Sequence, residues 1–248
     1  MKAQIAVVVG AVLLLVAVSA SAQDAVVRRE LAGSGALRVG LNGGNALTQA
    51  VGRELATELA RRVGVMATFT VYPTPGAVID ASASWDIAFI AADPDRAATV
   101  SFTAPYVLLD ATYIVKADSP IARVADADRP GLKVAAGATT AYALYLRREL
   151  KQAQLVSPPN AEALKGVLSG EIAGLAGLRF DLMQTAARTP GVRVIPDNIT
   201  RAQQAVAVPK ANQAALTYVE AFLREMKRSG FIAAAIARTG LPGATPAE

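Results

Sequence analysis

WDIAFIAADPDRAATVSFTAPY, residues 85–106, opens with a short apolar run, Ile87 to Ala92. A run of that length between polar residues fits a strand buried on both faces. Asp93-Pro94-Asp95 follows, and an acidic residue before proline marks a turn and a helix start. Arg96 then stands one turn past the end of the strand. Its planar five-donor fork matches a carboxylate in a bidentate way and stays charged at ordinary pH. The competing reading is a surface arginine paired to Asp93 or Asp95.

Working upstream, Leu37 to Leu41 is a strand that runs into Asn42-Gly43-Gly44-Asn45, a glycine loop of the kind that lets backbone approach a ligand closely. Leu47, Val51, Leu55, Leu59 and Val63 recur at helical spacing, and Gly64 closes that helix. Thr68 to Val71 is β-branched and aromatic, hence a strand, and Pro73-Thr74-Pro75-Gly76 turns into a short helix. The order strand, helix, strand, helix, strand predicts a parallel α/β sheet.

Downstream, Ala111 to Lys116 is a strand, and the pattern then restarts. Leu132 to Ala136 is a strand, Gly137-Ala138-Thr139-Thr140 opens a helix to about Gln152, and Leu155-Val156 is a short strand. A helix follows from Asn160 to Leu168, then a small-residue strand from Ile172 to Leu178, a helix over 179–188 and a strand over 192–195. Gln203 to Val208 resembles 113–116, since both are apolar strands leading to a lysine. Amphipathic helices over 212–227 and 231–238 complete the chain. Two similar strands bracketing an inserted α/β unit predict two lobes joined by two crossings, with hinges near 116–118 and 208–210. The expected division is 37–116 plus 202–240 for lobe 1 and 117–201 for lobe 2. Residues 23–36 read as a flexible leader and 241–248 as a disordered tail. Ligands of open α/β sheets lie beyond the carboxyl ends of the strands, which singles out the loops at 42–45, 73–76, 93–96, 137–142 and after 178.

The first 22 residues read as a cleaved signal peptide. Lys2 is the positive start, Ile5 to Val18 is apolar, and Ala20-Ser21-Ala22 is an A-x-A site. The apolar run is short for a bilayer span of about 20 residues. The expected location is therefore the periplasm. Cleavage would leave 226 of 248 residues, enough for one or two domains with a real core. There is no cysteine and no histidine, which excludes thiol catalysis, thiolate metal sites and the commonest general base. No cofactor is expected. The net charge of +5 comes from dispersed arginines without a Lys/Arg run, which argues against a nucleic-acid surface.

The order LRVG, WDIAFIAADPDRAATVSFTAPY, TYIVKADSPI, KVAAGATTAYALYLRREL, LKGVLSGEIAGLAG and QAVAVPKANQAALTYVEAFLREMKRSGFIAAAI resembles the bacterial extracellular solute-binding proteins of family 3 over about residues 37–240. These are the substrate receptors of polar amino-acid ABC importers. The resemblance implies a two-lobe α/β fold of type II with two hinge crossings, closing on a ligand. It implies a monomer that meets an ABC permease. It also implies that Arg96 grips the ligand's carboxylate and that Thr139 and Thr140 form the facing helix-start turn. Asn42, Ala91, Asp93 and Tyr142 are the expected neighbours. Asp93 replaces a usual threonine. Leu178 stands where amino-acid binders carry an aspartate for the ammonium group, and Asp181 reads as a solvated helix face. The expected ligand is therefore a small organic carboxylate, or an amino acid whose nitrogen meets neutral acceptors such as Asn42. The alternatives are a periplasmic sensing module and a dehydratase on the same fold, with Asp93, Glu171 or Asp181 as the candidate acid.

Overall fold

The computed structural model describes residues 23–241 and 243–248. The expected signal peptide lies outside them. Among the described residues, no helix is long and apolar enough to cross a membrane.

Two units of the same design make up the molecule. In the first, β1 (Ala36–Asn42) lies between β2 (Met66–Tyr72) and β3 (Ile87–Ala91), all parallel. In the second, β6 (Lys133–Ala135) lies between β7 (Gln154–Val156) and β8 (Gly174–Leu178), again parallel. Each unit thus places its first strand centrally, so the connections leave in opposite directions on either side of it. That reversal opens a crevice at the carboxyl ends. Two long antiparallel strands, β5 (Val107–Lys116) and β10 (Thr200–Pro209), join the units in the order β2-β1-β3-β10-β5-β8-β6-β7. This is the expected two-lobe α/β architecture.

Local sequence explains the elements that aim the site. Helix α2 (Ala46–Val63) buries Leu47, Val51, Leu55 and Leu59, one stripe at i, i+4 spacing. Asn45 caps it by accepting the Thr48 N–H, and Gly64 ends it in the left-handed conformation at φ 77°. The lobe 1 core joins that stripe to Leu41, Phe89 and Val206 and to α8 (Gln213–Arg228) and α9 (Phe231–Thr239) through Val219, Phe222 and Ile232. Burying each such side chain contributes about 1.5–3 kcal/mol. Strand β3 is buried at every position, as its unbroken apolar run requires. Tyr106 belongs to this core, its ring edge-on to Phe89 with centroids 5.8 Å apart.

Three expectations are corrected. Residues 23–32, expected as a loose leader, form a helix, α1. Val27 and Leu31, one turn apart, are buried in the lobe 1 core. The Glu30 carboxylate accepts the Ala215 N–H at 2.8 Å, and its carbonyl accepts Asn212 Nδ2 at 3.1 Å, so α1 satisfies the start of α8. The tail, expected to be disordered, carries β11 (Ala244–Pro246), antiparallel to β5. The Ala247 N–H also donates to the Tyr106 carbonyl at 3.1 Å.

The third correction concerns the crossings. In β5, Ala111 to Ile114 pair with β8 and Ile114 to Lys116 with β9 (Val192–Val194). In β10, Gln204 to Ala207 pair with β3 of the other lobe. The two strands meet over Val107–Ala111 and Thr200–Gln204, so the chain changes lobes there, not at 116–118 and 208–210. The resemblance of 113–116 to 203–208 suggested equivalent ends. Because the strands run antiparallel, those ends point into opposite lobes.

Candidate functional site

One cavity lies at the crevice between the lobes. Its wall contains Asn42, Gly44 and Asn45 after β1, Pro75 at the start of α3 (Pro75–Asp80), Ile90 and Ala91 of β3, and Arg96 of α4 (Pro94–Ala97). Thr140, Ala141 and Tyr142 at the start of α5 (Ala141–Glu149) face them, with Leu178 and Asp181 at the start of α7 (Arg179–Arg188). Ala202 and Gln204 of the crossing strand form the floor. The enclosed space is about 60 Å³. At about 10–15 Å³ of such space per water, it holds a handful of water-sized groups.

Arg96 is 6% exposed, a buried cation. Asp93 caps the single turn of α4 by accepting the Asp95 N–H at 2.9 Å, and that turn carries Arg96 back over its own strand. Nη1 donates to the Ala91 carbonyl at 2.5 Å, and Nη2 donates across the crevice to the Thr139 carbonyl at 2.6 Å. These neutral acceptors hold the guanidinium in place without cancelling its charge. Burial lowers its pKa to about 10, against the raising influence of Asp93 and Asp95, so it remains a cation at neutral pH. Neither acid pairs with it.

The facing wall is a helix start. Thr140 accepts the Ala143 N–H at 3.2 Å and donates to the Gly137 carbonyl at 2.8 Å. Ala141 and Tyr142 follow, and the first amides of a helix favour negative charge. Gln204 is 3% exposed and accepts the Thr48 hydroxyl at 3.0 Å on Oε1. Its amide nitrogen makes no hydrogen bond to the described residues, which leaves a donor at the floor. Asn42 Oδ1 is occupied by the Gly44 N–H at 3.1 Å, so its NH₂ group is the end left over.

Asp181 is the residue that sequence reasoning set aside. Leu178 ends β8 and Arg179 begins α7, so Asp181 falls in the first helical turn. Side chains there lean back toward the helix N-terminus, here toward the crevice. The residue is exposed, its carboxyl makes no hydrogen bond and no ion pair with the described residues, and desolvation by the surrounding wall raises its pKa to about 6. Beyond it the cavity continues into a groove lined by Asn160, Leu164 and Thr185.

Of the expected site residues, Asn42, Ala91, Arg96, Thr140 and Tyr142 meet around the cavity. Asp93 does not. It is turned away and bonded by Arg148 Nη2 at 2.8 Å and Nη1 at 3.3 Å. Thr139 also stands outside the wall, contributing its carbonyl to Arg96 while its methyl group packs against Gly76. Of the other acids considered, Glu171 lies in another groove, beside Lys133. Gln204 was missed; Asn45 was singled out only as part of its loop, and Asp181 only as a candidate acid. For Asp181 the available signal was the first-turn position after a buried strand. Among the described residues no cluster of acids could hold a metal ion.

Two α/β lobes, two crossing strands and an anion-attracting cavity at their facing strand ends define a two-lobe binding protein. The sequence pattern of the bacterial extracellular solute-binding proteins, family 3, matches residues 51–239, and the chain belongs to that family. Among solved structures it resembles an ancestral amino acid-binding protein described as a precursor of cyclohexadienyl dehydratase. That match has 25% identity and a TM-score of 0.67, and covers 84% of this chain and 96% of the other. It also resembles the solute receptor for L-cysteine of Neisseria gonorrhoeae, at 20% identity and a TM-score of 0.69, with 88% and 94% covered. A third likeness is to an amino acid ABC transporter substrate-binding protein of Streptococcus pneumoniae bound to L-arginine, at 19% identity and a TM-score of 0.65, with 84% and 95% covered. No curated protein sequence matches the chain.

Proposed function

We propose that this protein captures a small amino acid between its lobes in the periplasm, as a monomer, and delivers it to an ABC permease. The observation that carries the reading is the placement of Arg96 and Asp181 in one wall, each without an opposite charge. A ligand bearing one carboxylate and one ammonium group satisfies both. The carboxylate takes the remaining Arg96 donors, the first amides of α5 and the Gln204 amide. The ammonium group takes Asp181, while the free NH₂ group of Asn42 is a further donor for the carboxylate. Asp181 thereby supplies the acid that Leu178 lacks. This reverses the expectation that neutral groups alone would meet the nitrogen.

The steps are those of a clamp. In the open form the solute reaches Arg96 first. Closure then brings the α5 turn against the same carboxylate and buries the pair. Charge-assisted hydrogen bonds contribute about 1.5–3 kcal/mol each, so two or three of them with modest apolar contact against Ile90 and Leu178 reach micromolar affinity, about 8 kcal/mol. The test is mass spectrometry of the solute that co-purifies, followed by calorimetry on stripped protein with that solute. An amino acid is expected. A ligand without a nitrogen cation would overturn the reading.

Asp181 also favours a second reading, a dehydratase acting on cyclic carboxylates. A carboxyl raised to about 6 at a cavity wall suits a general acid. Turnover of prephenate-like carboxylates that vanishes in Asp181→Asn would establish that activity. Binding of an amino acid without turnover would dismiss it.

A further inference from the structure

An ion pair crosses the crevice, and it does not touch the cavity. Asp93 belongs to the lobe 1 turn that carries Arg96, and its side chain is 4% exposed. Arg148 is in the last turn of α5, in lobe 2. Its two terminal nitrogens meet the two Asp93 oxygens at 2.8 and 3.3 Å, and Nη1 reaches Asp95 Oδ2 at 3.4 Å. Ala141, Tyr145 and Arg148 recur at i, i+4 and i+7, one face of α5, and all three line a single groove with Asp93 and Pro94. Two further contacts close the same seam. Arg96 donates to the Thr139 carbonyl, and Thr139 packs so tightly on Gly76 that a Cβ there would lie 2.9 Å from its methyl carbon.

The cap on α4 does not explain the arrangement. Accepting the Asp95 N–H needs one oxygen and no charge, whereas Arg148 engages both oxygens from the other lobe. A bidentate guanidinium–carboxylate pair fixes orientation as well as distance. The pair exists only when the lobes meet, and it is made by protein groups alone.

We propose that Asp93 and Arg148 form an interlobe latch that holds the empty protein closed and thereby limits how fast a solute enters. Solute enters only the open form, so a latch that lowers the open population slows association by the same factor. The latch persists in the loaded form and slows release as well. Affinity therefore changes less than either rate. The inference needs no particular ligand.

The chain has no cysteine, so two introduced thiols label it uniquely. Ser84→Cys in lobe 1 and Ser157→Cys in lobe 2 are both exposed. Single-molecule energy transfer between them, on stripped protein without solute, reads the lobe separation directly. The wild type is expected in one short-distance population. Asp93→Asn, which keeps the cap, and Arg148→Gln should each raise the open fraction about tenfold, with the double variant no more open than either single one. Arg148→Lys, which keeps the charge and loses the bidentate fork, should fall between wild type and Arg148→Gln, and rising salt should open the wild type toward the variants. Circular dichroism confirms that each variant is folded. A wild type already mostly open, or single variants with the wild-type distribution, would overturn the latch.

Discussion

Two cation–acid sets face one another across the same crevice, and they differ in one respect. Arg148 and Asp93 are in contact, each completing the other. Arg96 and Asp181 share a cavity wall and make no ion pair. The satisfied pair needs nothing more, so its role is mechanical. The unsatisfied pair leaves a buried cation and, beside it, an exposed acid; the buried cation is costly unless a ligand arrives. The difference separates what closes the lobes from what selects the solute.

Arg96→Met should have the largest effect on this contrast. Losing two charge-assisted bonds removes about 3–6 kcal/mol, or about 100-fold or more in affinity by calorimetry. The latch, read as lobe separation without solute, should survive the change. If affinity held, the unsatisfied cation would not be the anchor.

Asp181→Asn should weaken amino-acid binding about tenfold at pH 7.5. It should also remove a pH dependence. Ammonium binding needs the carboxylate, so wild-type affinity should fall as pH drops through about 6. The effect on folding has the opposite sign. Asp181 has its pKa raised from 3.8, so its favourable protonated contribution is present below 3.8 and lost as pH rises through about 6. A flat wild-type affinity between pH 5 and pH 7.5 would remove Asp181 from the site.

Gly76→Val acts on the seam and not on either charge. Its side chain meets Thr139, so lobe closure should loosen and affinity fall about threefold to tenfold, with the melting temperature little changed. The smallest effect is expected far from the crevice. Deleting 243–248 removes β11 and the Ala247 hydrogen bond. At about 1–2 kcal/mol, the melting temperature should fall by about 2–8 °C. Binding should stay within about threefold of wild type, since no wall residue is lost. A larger loss would show that the tail controls the crossing strands.

What the sequence disclosed and what it hid follow the same division. Ile87 to Ala92, Arg96 and the Thr140 turn were legible because strand burial, proline-led turns and helix starts are local signals. The lobes were legible because the strand–helix pattern repeats. The crossing positions were misplaced because similarity between two strands does not report their direction. Asp93 was misassigned because its partner lies 55 residues away on α5. Asp181 is exposed, as expected from the sequence; its place at the cavity edge was hidden because that depends on where β8 stops and α7 starts, a matter of one residue. Helix α1 and strand β11 went unread for a related reason. Two apolar residues in a short helix, or three residues at a chain end, gain stability from the core and the β5 edge that receive them.

Calorimetry with a matched pair of ligands, L-alanine and propionate, tests the central claim most directly, because the two differ by the ammonium group alone. Alanine should bind at least about tenfold more tightly to the wild type, and the gap should disappear in Asp181→Asn. Equal affinities for the two in the wild type, or a gap unchanged in Asp181→Asn, would contradict it.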